Sequence, residues 1–385
     1  MISSAEQPAS PATVSPQRAR VFLMVNSLET GGTEKQFVTI SRAIDAAEFS
    51  VELGCLKRKG AFLDQVNGIA EFSPGGSMFW LKSQGARIKL ARYLRRKQIA
   101  IAHSFDFYTN LMLIPAARLA GIPVVIGSHR QLGDLLTPLQ FRAQNAMLSW
   151  CDKVVCNSQA AAGALRRAGL NQRKLEIIPN GLPEESFTAT QPAIEREAGV
   201  QRIGFVSRMN DAGKNHELFL RVAAKLAPRF PSLQFVLAGD GPQRQHLEQV
   251  AHSLGVGRSI LFLGDRRDIP AVLASFDVSV LPSRSESLSN VIIESMAAGL
   301  PVVAADAGGN CELIRDGETG VLVPLGDEEA LGHAIERLLS DVELRREMGH
   351  RAREAALANY SVGKIRDRYQ DLYRSLLVEK GWKPA

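Results

Sequence analysis

The chain has 385 residues, which is too long for one compact hydrophobic core and favours two domains. Hydrophobic residues make up 45% of it and charged residues 22%, as is usual for soluble globular proteins, and its longest apolar region is broken by Pro115, Arg118 and Pro123, so no membrane span is predicted. The formal net charge of +6 indicates an anionic partner, such as a nucleotide diphosphate, a lipid phosphate or an acidic membrane surface, without choosing among them.

The N-terminal segment and the cysteines are typical of a cytoplasmic protein. Residues 1–18 are rich in Ser, Ala and Pro and lack the apolar centre of a signal peptide, so we expect a disordered tail. Cys55, Cys151, Cys156 and Cys311 have no metal-ligand spacing. Because each lies in or beside an apolar run, we expect reduced cysteines in the core.

Strand and helix patterns alternate through the N-terminal half. The first strand starts at Val21 and leads to Gly31 and Gly32, where a helix begins with Phe37 and Ile40 on one face. Further strand patterns occupy 51–56, 100–105, 124–129, 153–158 and the residues up to 181, with helical patterns at about 84–97 and 107–120. This alternation predicts βαβ units and a parallel sheet. The Gly-Gly turn lets another molecule approach the backbone, but it is not the G-x-G-x-x-G of a dinucleotide site.

One predicted helix, residues 82–97, is strongly basic. Its cations have no acid among them and comprise Lys82, Arg87, Lys89, Arg92, Arg95, Arg96 and Lys97. Ile88, Ala91 and Leu94 form an apolar stripe on the same helix. Such a helix can lie on an anionic membrane or bind a lipid-diphosphate acceptor, or it can simply pack its stripe on the sheet. Nucleic acid is not expected, because interleaved aromatic residues and a recognition motif are missing.

Two histidines stand at the ends of predicted strands. His103 lies near the end of the pattern at 100–105, and His129 ends the pattern at 124–129. Both are expected to point toward the cleft between the domains. A single histidine at a strand end is more often structural than catalytic, so the residues alone leave both roles open.

A second alternating series follows a segment without periodicity at 188–198. Its strand patterns begin at 202–207 and continue to the Gly-Val-Leu-Val-Pro run at 320–324. Two doubly wound domains are therefore predicted, at 19–190 and 196–360, with a C-terminal helix at 361–385. Ligands of such domains bind at the carboxyl ends of the strands.

Cations and a helix start meet at that edge of the second domain. Arg208 and Lys214 follow its first strand, and together they suit a diphosphate. Pro282 begins a polar loop after a later strand, and the helix that follows has Ser289 as its predicted N-cap. The free N–H groups around Leu288, Ser289 and Asn290 form an anion site. Glu286 and Glu294 bracket it.

The pattern of Glu286, seven residues and Glu294, followed by Ala-Ala-Gly-x-Pro-Val-Val and by Gly308-Gly309, resembles the retaining GT-B glycosyltransferases of family 4. The Gly-Gly-Thr-Glu-Lys segment at 31–35 is similar to the family's N-terminal motif, with Lys35 for the commoner Arg. The resemblance implies an α/β GT-B fold, in which two Rossmann-like domains face each other across a cleft and the final helix crosses back to the N-terminal domain.

The resemblance also implies roles for individual residues. Glu294 would accept hydrogen bonds from the donor ribose, Glu286 would contact the donor sugar, and His129 would lie near its reacting end. Catalytic roles are implied for His129, Arg208, Lys214 and Glu286. Substrate contacts are expected from Gly31, Gly32, Arg208, Lys214, Glu286, Ser287, Leu288, Ser289, Asn290 and Glu294, with His103 as a further candidate.

The expected function is retaining transfer of a sugar from a UDP- or GDP-sugar to a glycan or lipid-linked acceptor, in polysaccharide or glycolipid synthesis. Since Asp-x-Asp is missing from the sequence, we expect neither metal nor cofactor. The protein would act in the cytoplasm, with the basic helix as a candidate contact to the inner face of the membrane. A glycosidase has no use for Arg208 and Lys214. A nucleotide-sugar 2-epimerase and a non-catalytic nucleotide-binding relative remain alternatives.

Overall fold

The computed structural model describes residues 18–76, 81–210 and 212–383, so the predicted N-terminal tail lies almost wholly outside the described residues. Within these ranges two parallel sheets form, one from each half of the chain. The first sheet has the order β3-β2-β1-β4-β5-β6-β7. Its strands are β1 (Ala19–Val25), β2 (Phe49–Cys55), β3 (Ala70–Glu71), β4 (Ile101–Ser104), β5 (Val124–His129), β6 (Lys153–Cys156) and β7 (Leu175–Ile177).

The second sheet has the order β10-β9-β8-β11-β12-β13. Its strands are β8 (Gln201–Val206), β9 (Leu233–Ala238), β10 (Ile260–Gly264), β11 (Val278–Leu281), β12 (Val302–Ala305) and β13 (Gly320–Val323). In both sheets the strand order reverses beside the first strand, between β1 and β4 and between β8 and β11. Such a switch point opens a crevice at the carboxyl ends of the strands, where ligands bind.

Helices connect the strands and cover both faces of each sheet. The N-terminal half contains α1 (Gly32–Ala43), α2 (Leu81–Arg96), α3 (Phe107–Ala120), α4 (Pro138–Leu148) and α5 (Gln159–Arg167). The remainder contains α6 (His216–Leu226), α7 (Arg244–Ser253), α8 (Ile269–Leu273), α9 (Asn290–Ala297), α10 (Asn310–Leu313), α11 (Glu328–Ser340), α12 (Val342–Tyr360) and α13 (Val362–Glu379). The predicted two-domain α/β fold is confirmed.

The last helix, α13, returns to the N-terminal domain as expected. Its buried side chains Tyr369, Tyr373 and Leu376 join a core cluster that also contains Val21 and Leu23 of β1. Burial of each large side chain stabilises the contact by roughly 1.5–3 kcal/mol. The crossing of α13 therefore ties the end of the chain to the centre of the first sheet.

The chain crosses between the domains at two places that lie side by side. Leu182 donates a backbone hydrogen bond to the carbonyl of Tyr360 over 2.7 Å, and Val362 donates one back to Leu182 over the same distance. These paired crossings leave the two domains connected through a narrow strip of backbone, beside the cavity described below.

The cysteine prediction is correct for three of the four residues. Cys55, Cys151 and Cys156 are buried, whereas Cys311 is exposed and its Sγ contacts the carbonyl of Gly308 at 3.2 Å. Cys311 lies in α10, after the chain has left the buried strand β12. The apolar run of that strand therefore does not extend to it, and the prediction of a core position is wrong for Cys311.

Among the described residues, none of the helices combines the length and the hydropathy that crossing a bilayer requires.

Candidate active site

A cavity of about 970 Å³ lies between the carboxyl ends of the two sheets. Its wall combines residues of the N-terminal half, such as Gly31 and Gly32, with residues that follow β8 and β11. This is the location that the strand order of the second sheet predicts for a ligand. Of the predicted site residues, those at the cavity wall are Gly31, Gly32, Arg208, Lys214, Glu286, Leu288, Ser289, Asn290 and Glu294.

The two predicted cations lie on the C-terminal wall of this cavity. Arg208 is exposed there and donates from Nη1 to the carbonyl of Thr30 over 3.0 Å. Lys214 Nζ lies 2.6 Å from Glu286 Oε1. The left-handed backbone of Asn215, with φ of 61°, turns the chain directly after Lys214, and its amide donates to the carbonyl of Pro282. The two loops that carry Lys214 and Glu286 are thus hydrogen bonded to each other.

The start of α9 has the geometry of an anion site. Ser289 is the N-cap and its side chain accepts from the N–H of Ile292 over 3.3 Å. The N–H groups of Asn290 and Val291 have no partner within the helix, and both residues line the cavity. Glu294 follows one turn later, is only 8% exposed and forms an ion pair with Lys35 of α1.

Gly308 and Gly309 pack against the backbone of the loop that carries Glu286. Gly308 has a φ of 56°, and a Cβ at that position would overlap the carbonyl oxygen of Glu286. A Cβ on Gly309 would overlap the carbonyl of Ser287, while the Gly309 N–H donates to Glu286 O over 2.8 Å. Since only glycine has no Cβ, this pair lets the turn pack directly on the loop backbone.

The glycines on the N-terminal wall serve a similar purpose. A Cβ on Gly31 would overlap the carboxylate of Glu34, and a Cβ on Gly32 would lie 3.0 Å from Nδ2 of Asn290. That amide is 3.4 Å from the Gly32 carbonyl. The small residues therefore allow the N-terminal domain to reach the start of α9.

Ser287 faces the other domain and does not line the cavity. Its Oγ donates to Oδ1 of Asn157 over 2.7 Å. Ser285 in the same loop donates to the carboxylate of Asp134. The carboxylate of Glu312 accepts from the backbone N–H groups of Gln159 and Ala160, at 2.7 and 2.8 Å, where α5 begins. Polar contacts of this kind hold the two domains together around the cavity.

The prediction that His103 faces the cleft is wrong. The ring is fully buried beneath α13, with Nδ1 2.9 Å from the hydroxyl of Tyr373 and Nε2 3.0 Å from Oγ of Ser128. Burial and, to a smaller extent, the charge of Arg130 lower the pKa of His103 to about 3. Because β4 lies at the centre of the sheet, both of its faces are covered, and His103 points into the layer under α13.

His129 also stops short of the cavity. It is 1% exposed, its Nδ1 lies 2.7 Å from Nε2 of Gln144, and its Nε2 is buried without a hydrogen-bond partner. Burial lowers the pKa of His129 to about 4, so the ring is neutral at pH 7. The next two residues, Arg130 and Gln131, do line the cavity.

Among the polar residues of the cavity wall that were not predicted from the sequence are Lys35, Asn180 and Arg130. Lys35 pairs with Glu294, and Asn180 donates from Nδ2 to Oδ1 of Asn290 over 2.6 Å. Arg130 in turn donates to Oδ1 of Asn180 over 2.8 Å. Lys35 belongs to the Gly-Gly-Thr-Glu-Lys motif, which was a usable signal. For Asn180 and Arg130 the sequence gives no signal other than their positions after strand patterns.

The basic helix α2 uses part of its charge within the protein. Arg87 and Arg95 donate to backbone carbonyls of α3, and Lys97, just after the helix, pairs with Glu52 at 2.8 Å. The predicted apolar stripe is buried at Ala91 and Leu94. The third residue of the stripe, Ile88, is 43% exposed, whereas the neighbouring Leu90 is buried. The side chain of Lys82 lies outside the described residues.

Across the described residues, no group of three or more His, Cys, Asp and Glu side chains is arranged to hold a metal ion.

Two doubly wound domains that share one cavity, with the final helix returned to the first domain, have the architecture of the GT-B fold. The sequence profile described as "Glycosyl transferases group 1" matches residues 200–341, and that described as "Glycosyltransferase Family 4" matches residues 30–186. The α-D-kanosaminyltransferase of Streptomyces kanamyceticus is 30% identical over 328 residues, which cover 78% of this chain and 82% of that protein. The chain therefore belongs to the family 4 (group 1) glycosyltransferases, and the predicted family is confirmed.

Two further comparisons agree with this assignment. The UDP-Gal:α-D-GlcNAc-diphosphoundecaprenol α-1,3-galactosyltransferase of Escherichia coli is 26% identical over 358 residues, covering 86% of this chain and 91% of that protein. The crystal structure of Anabaena HepE in complex with UDP and glucose superposes with a TM-score of 0.82 at 21% identity, covering 93% of this chain and all of the other. At that identity the structural likeness concerns the fold alone.

Glu34, in the first turn of α1, is a titratable group with an unusual environment. Burial raises the pKa of its carboxyl to about 7; its own backbone N–H and Arg208 oppose this, while the charges of Asp106 and Glu29 add to it. The folded protein therefore binds a proton at Glu34 more tightly than the unfolded chain does. The stability that this protonation contributes is present below pH 4.5 and is lost as the pH rises through about 7.

We expect Glu34→Gln to flatten the decrease in stability between pH 5 and pH 8. The urea midpoint at both pH values measures this, and the drop should be smaller in the variant than in the wild type. Glu328→Gln is the control: burial raises the Glu328 pKa, but hydrogen bonds from Lys225 and Arg221 outweigh it and hold that pKa low, so its effect lies below pH 4.5. An unchanged drop in Glu34→Gln would refute the assignment.

Gly308→Ala should loosen the Glu286 loop. Left-handed backbone costs an alanine about 1 kcal/mol, and at Gly308 the new methyl group must also displace the Glu286 carbonyl. Hydrogen exchange measured by mass spectrometry should become faster at 284–289. Gly317→Ala is a matched control, because Gly317 has a φ of 74° but nothing within 4 Å of a Cβ. Equal exchange of the loop in both variants would show that the close packing at Gly308 is unimportant.

Proposed function

We propose that the protein transfers a sugar, with retention of anomeric configuration, from a UDP- or GDP-sugar to a glycan or lipid-linked acceptor in polysaccharide or glycolipid synthesis. One observation carries the proposal: Arg208, Lys214 and the N-terminus of α9 meet in one cavity. Support also comes from the relatives, since the Escherichia coli protein acts on a diphosphoundecaprenol-linked sugar with UDP-Gal, and HepE was crystallised with UDP and glucose.

The departing nucleotide diphosphate would be stabilised by fixed positive charge. Arg208 offers a planar fork of N–H donors and Lys214 a compact charge, and the start of α9 adds backbone N–H groups and the positive end of its dipole. Preorganised donors of this kind lower a transition state in which negative charge develops. Because these groups can balance a diphosphate by themselves, we propose that transfer is independent of metal.

The two glutamates would orient the donor. Glu294 is nearly buried and forms an ion pair with Lys35, and its carboxylate would accept hydrogen bonds from two neighbouring ribose hydroxyls. Glu286 is held by Lys214 and by the turn at Gly309, and it would contact the hydroxyls of the donor sugar. In this proposal the Lys214–Glu286 ion pair lies between the leaving diphosphate, which Lys214 binds, and the donor sugar, which Glu286 binds.

Retention would follow from attack on the face from which the nucleotide departs. The acceptor hydroxyl would enter beside the diphosphate, which can take its proton, while the oxocarbenium-like sugar is sheltered from water by the closed domains. His129 would then act as a positioning residue. Its ring, fixed by Gln144, holds the end of β5 so that Arg130 and Gln131 form part of the cavity wall.

A thermal-shift comparison of UDP, GDP and ADP, with and without chelator, tests the donor site. A nucleotide present at a hundred times its Kd stabilises the folded state by about 2.7 kcal/mol. We expect one nucleotide class to stabilise the protein equally in chelator, and Lys214→Ala to abolish the shift and to lower donor turnover by about 10² or more.

Lys225→Ala, which removes the same charge from the exposed side of α6, is the matched control and should behave as the wild type. The absence of a shift with any nucleotide, or a normal shift in Lys214→Ala, would contradict the proposed donor site. Binding without turnover of any donor would favour the non-catalytic relative.

We also propose that the exposed side of α2 contacts an anionic membrane. Lys89, Arg92 and Arg96 are exposed there without a carboxylate partner among the described residues, next to the exposed side chain of Ile88. A cation at an anionic lipid surface contributes about 1 kcal/mol. The N-terminal domain is the proposed acceptor domain and includes α2. Contact of α2 with the membrane would therefore bring this domain close to a lipid-linked acceptor.

Replacement of Lys89, Arg92 and Arg96 by Gln should remove most binding to vesicles that contain phosphatidylglycerol. Wild-type binding should weaken as salt is added and should be missing with pure phosphatidylcholine, as co-sedimentation would show. The control replaces Arg166, Arg167 and Arg173, which lie elsewhere on the same domain, and so changes the net charge equally. Equal loss in both triple variants would indicate a general charge effect and contradict this surface.

A further inference from the structure

Arg130 is half-buried and belongs to the cavity wall on the N-terminal side. It follows β5 directly, and its position is fixed on three sides. Nη1 donates to Oδ1 of Asn180 over 2.8 Å, Nη2 donates to the hydroxyl of Tyr369 over 2.6 Å, and the guanidinium group lies 5.1 Å from the ring centre of Phe105. All three neighbours are neutral.

The charge of Arg130 has no counter-charge in the part of the chain that the structure describes. None of the ion pairs formed there includes this residue, and its Nε is buried without a hydrogen-bond partner. A guanidinium carries five N–H donors, and the two hydrogen bonds use two of them. A half-buried cation with unused donors is costly unless an anion completes it.

The groups around Arg130 respond to this uncompensated charge. Burial lowers the pKa of His103, and the charge of Arg130 lowers it further. Burial raises the pKa of Tyr369, and the charge of Arg130 only partly offsets this increase. Both groups are therefore neutral near pH 7, and neither can balance the guanidinium.

Arg130 lies close to the donor site but belongs to the opposite wall. Asn180, its hydrogen-bond partner, donates to Asn290 at the start of α9 over 2.6 Å. The predicted diphosphate cations, Arg208 and Lys214, come from the other domain. The cavity volume of about 970 Å³ lies at the upper end of the ~300–1,000 Å³ that is usual for ligand sites.

We propose that Arg130 binds an anionic group of the acceptor, namely a phosphate or diphosphate that the acceptor carries near its reacting sugar. This inference rests on the proposed glycosyl transfer and names the acceptor class: a phosphorylated or lipid-diphosphate-linked sugar. Asn180, Tyr369 and Phe105 orient the guanidinium, and the planar fork suits two oxygens of one phosphate. The donor diphosphate remains with Arg208 and Lys214.

Inorganic pyrophosphate is the probe, added to protein already saturated with the nucleotide diphosphate that stabilises it, UDP or GDP. Because the nucleotide occupies the donor site, any further stabilisation reports a second anion site. We expect wild-type protein to gain a further thermal shift, and Arg130→Gln to weaken pyrophosphate binding about tenfold or more while its nucleotide affinity stays unchanged. Arg130→Lys, which keeps the charge, should retain part of the shift.

Arg142→Gln is the matched control, because Arg142 is exposed on α4 outside the cavity. A wild-type protein that binds nucleotide but gains nothing from pyrophosphate would overturn the inference, as would an undiminished gain in Arg130→Gln. Loss of nucleotide affinity in Arg130→Gln would indicate that Arg130 belongs to the donor site, and it would also overturn the inference. Failure of the wild type to bind any nucleotide would instead contradict the proposed function. Failure of the proposed function and failure of this inference are therefore distinguishable.

Discussion

The packing of the Gly308–Gly309 turn against the backbone at Glu286 and Ser287 determines the C-terminal wall of the cavity. The Gly309 N–H fixes the Glu286 carbonyl, and the missing Cβ atoms allow the contact. Lys214 then reaches the Glu286 carboxylate, and Asn215 binds the same loop through Pro282 O. The cations after β8 and the helix start after β11 are thereby held at one place, although they belong to separate βα units.

The contacts between the domains are mostly single polar interactions. Lys35 pairs with Glu294, Ser287 donates to Asn157, and the carboxylate of Glu312 caps the start of α5. Each can be exchanged for water at small net cost, unlike the apolar core of either domain. In the proposed function such contacts would let the domains separate to admit substrates, with the paired backbone crossings at 182 and 361 as the connection.

Much of the fold and part of the site could be predicted from the sequence, and the failures have physical causes. The alternation of strand and helix patterns specifies parallel sheets, whose carboxyl ends gather Arg208, Lys214 and Glu286. The same rule placed His103 near the cleft, but a strand pattern gives the position of a residue along the strand and not the face that α13 covers. Arg130 belongs to no recognisable motif. Its proposed role depends on hydrogen bonds to Asn180 and Tyr369, which are distant from it in sequence.

The positions of the cations also bear on how two anionic substrates can occupy one cavity. A donor diphosphate and a phosphorylated acceptor repel each other strongly at short distance in a site that excludes water. Arg208 and Lys214 come from one domain and Arg130 from the other, so each domain can bind its own anion while the cleft is open. In the proposed mechanism, closure would bring together two ligands whose charges are already balanced, so that the remaining repulsion is lowered before the reacting atoms meet.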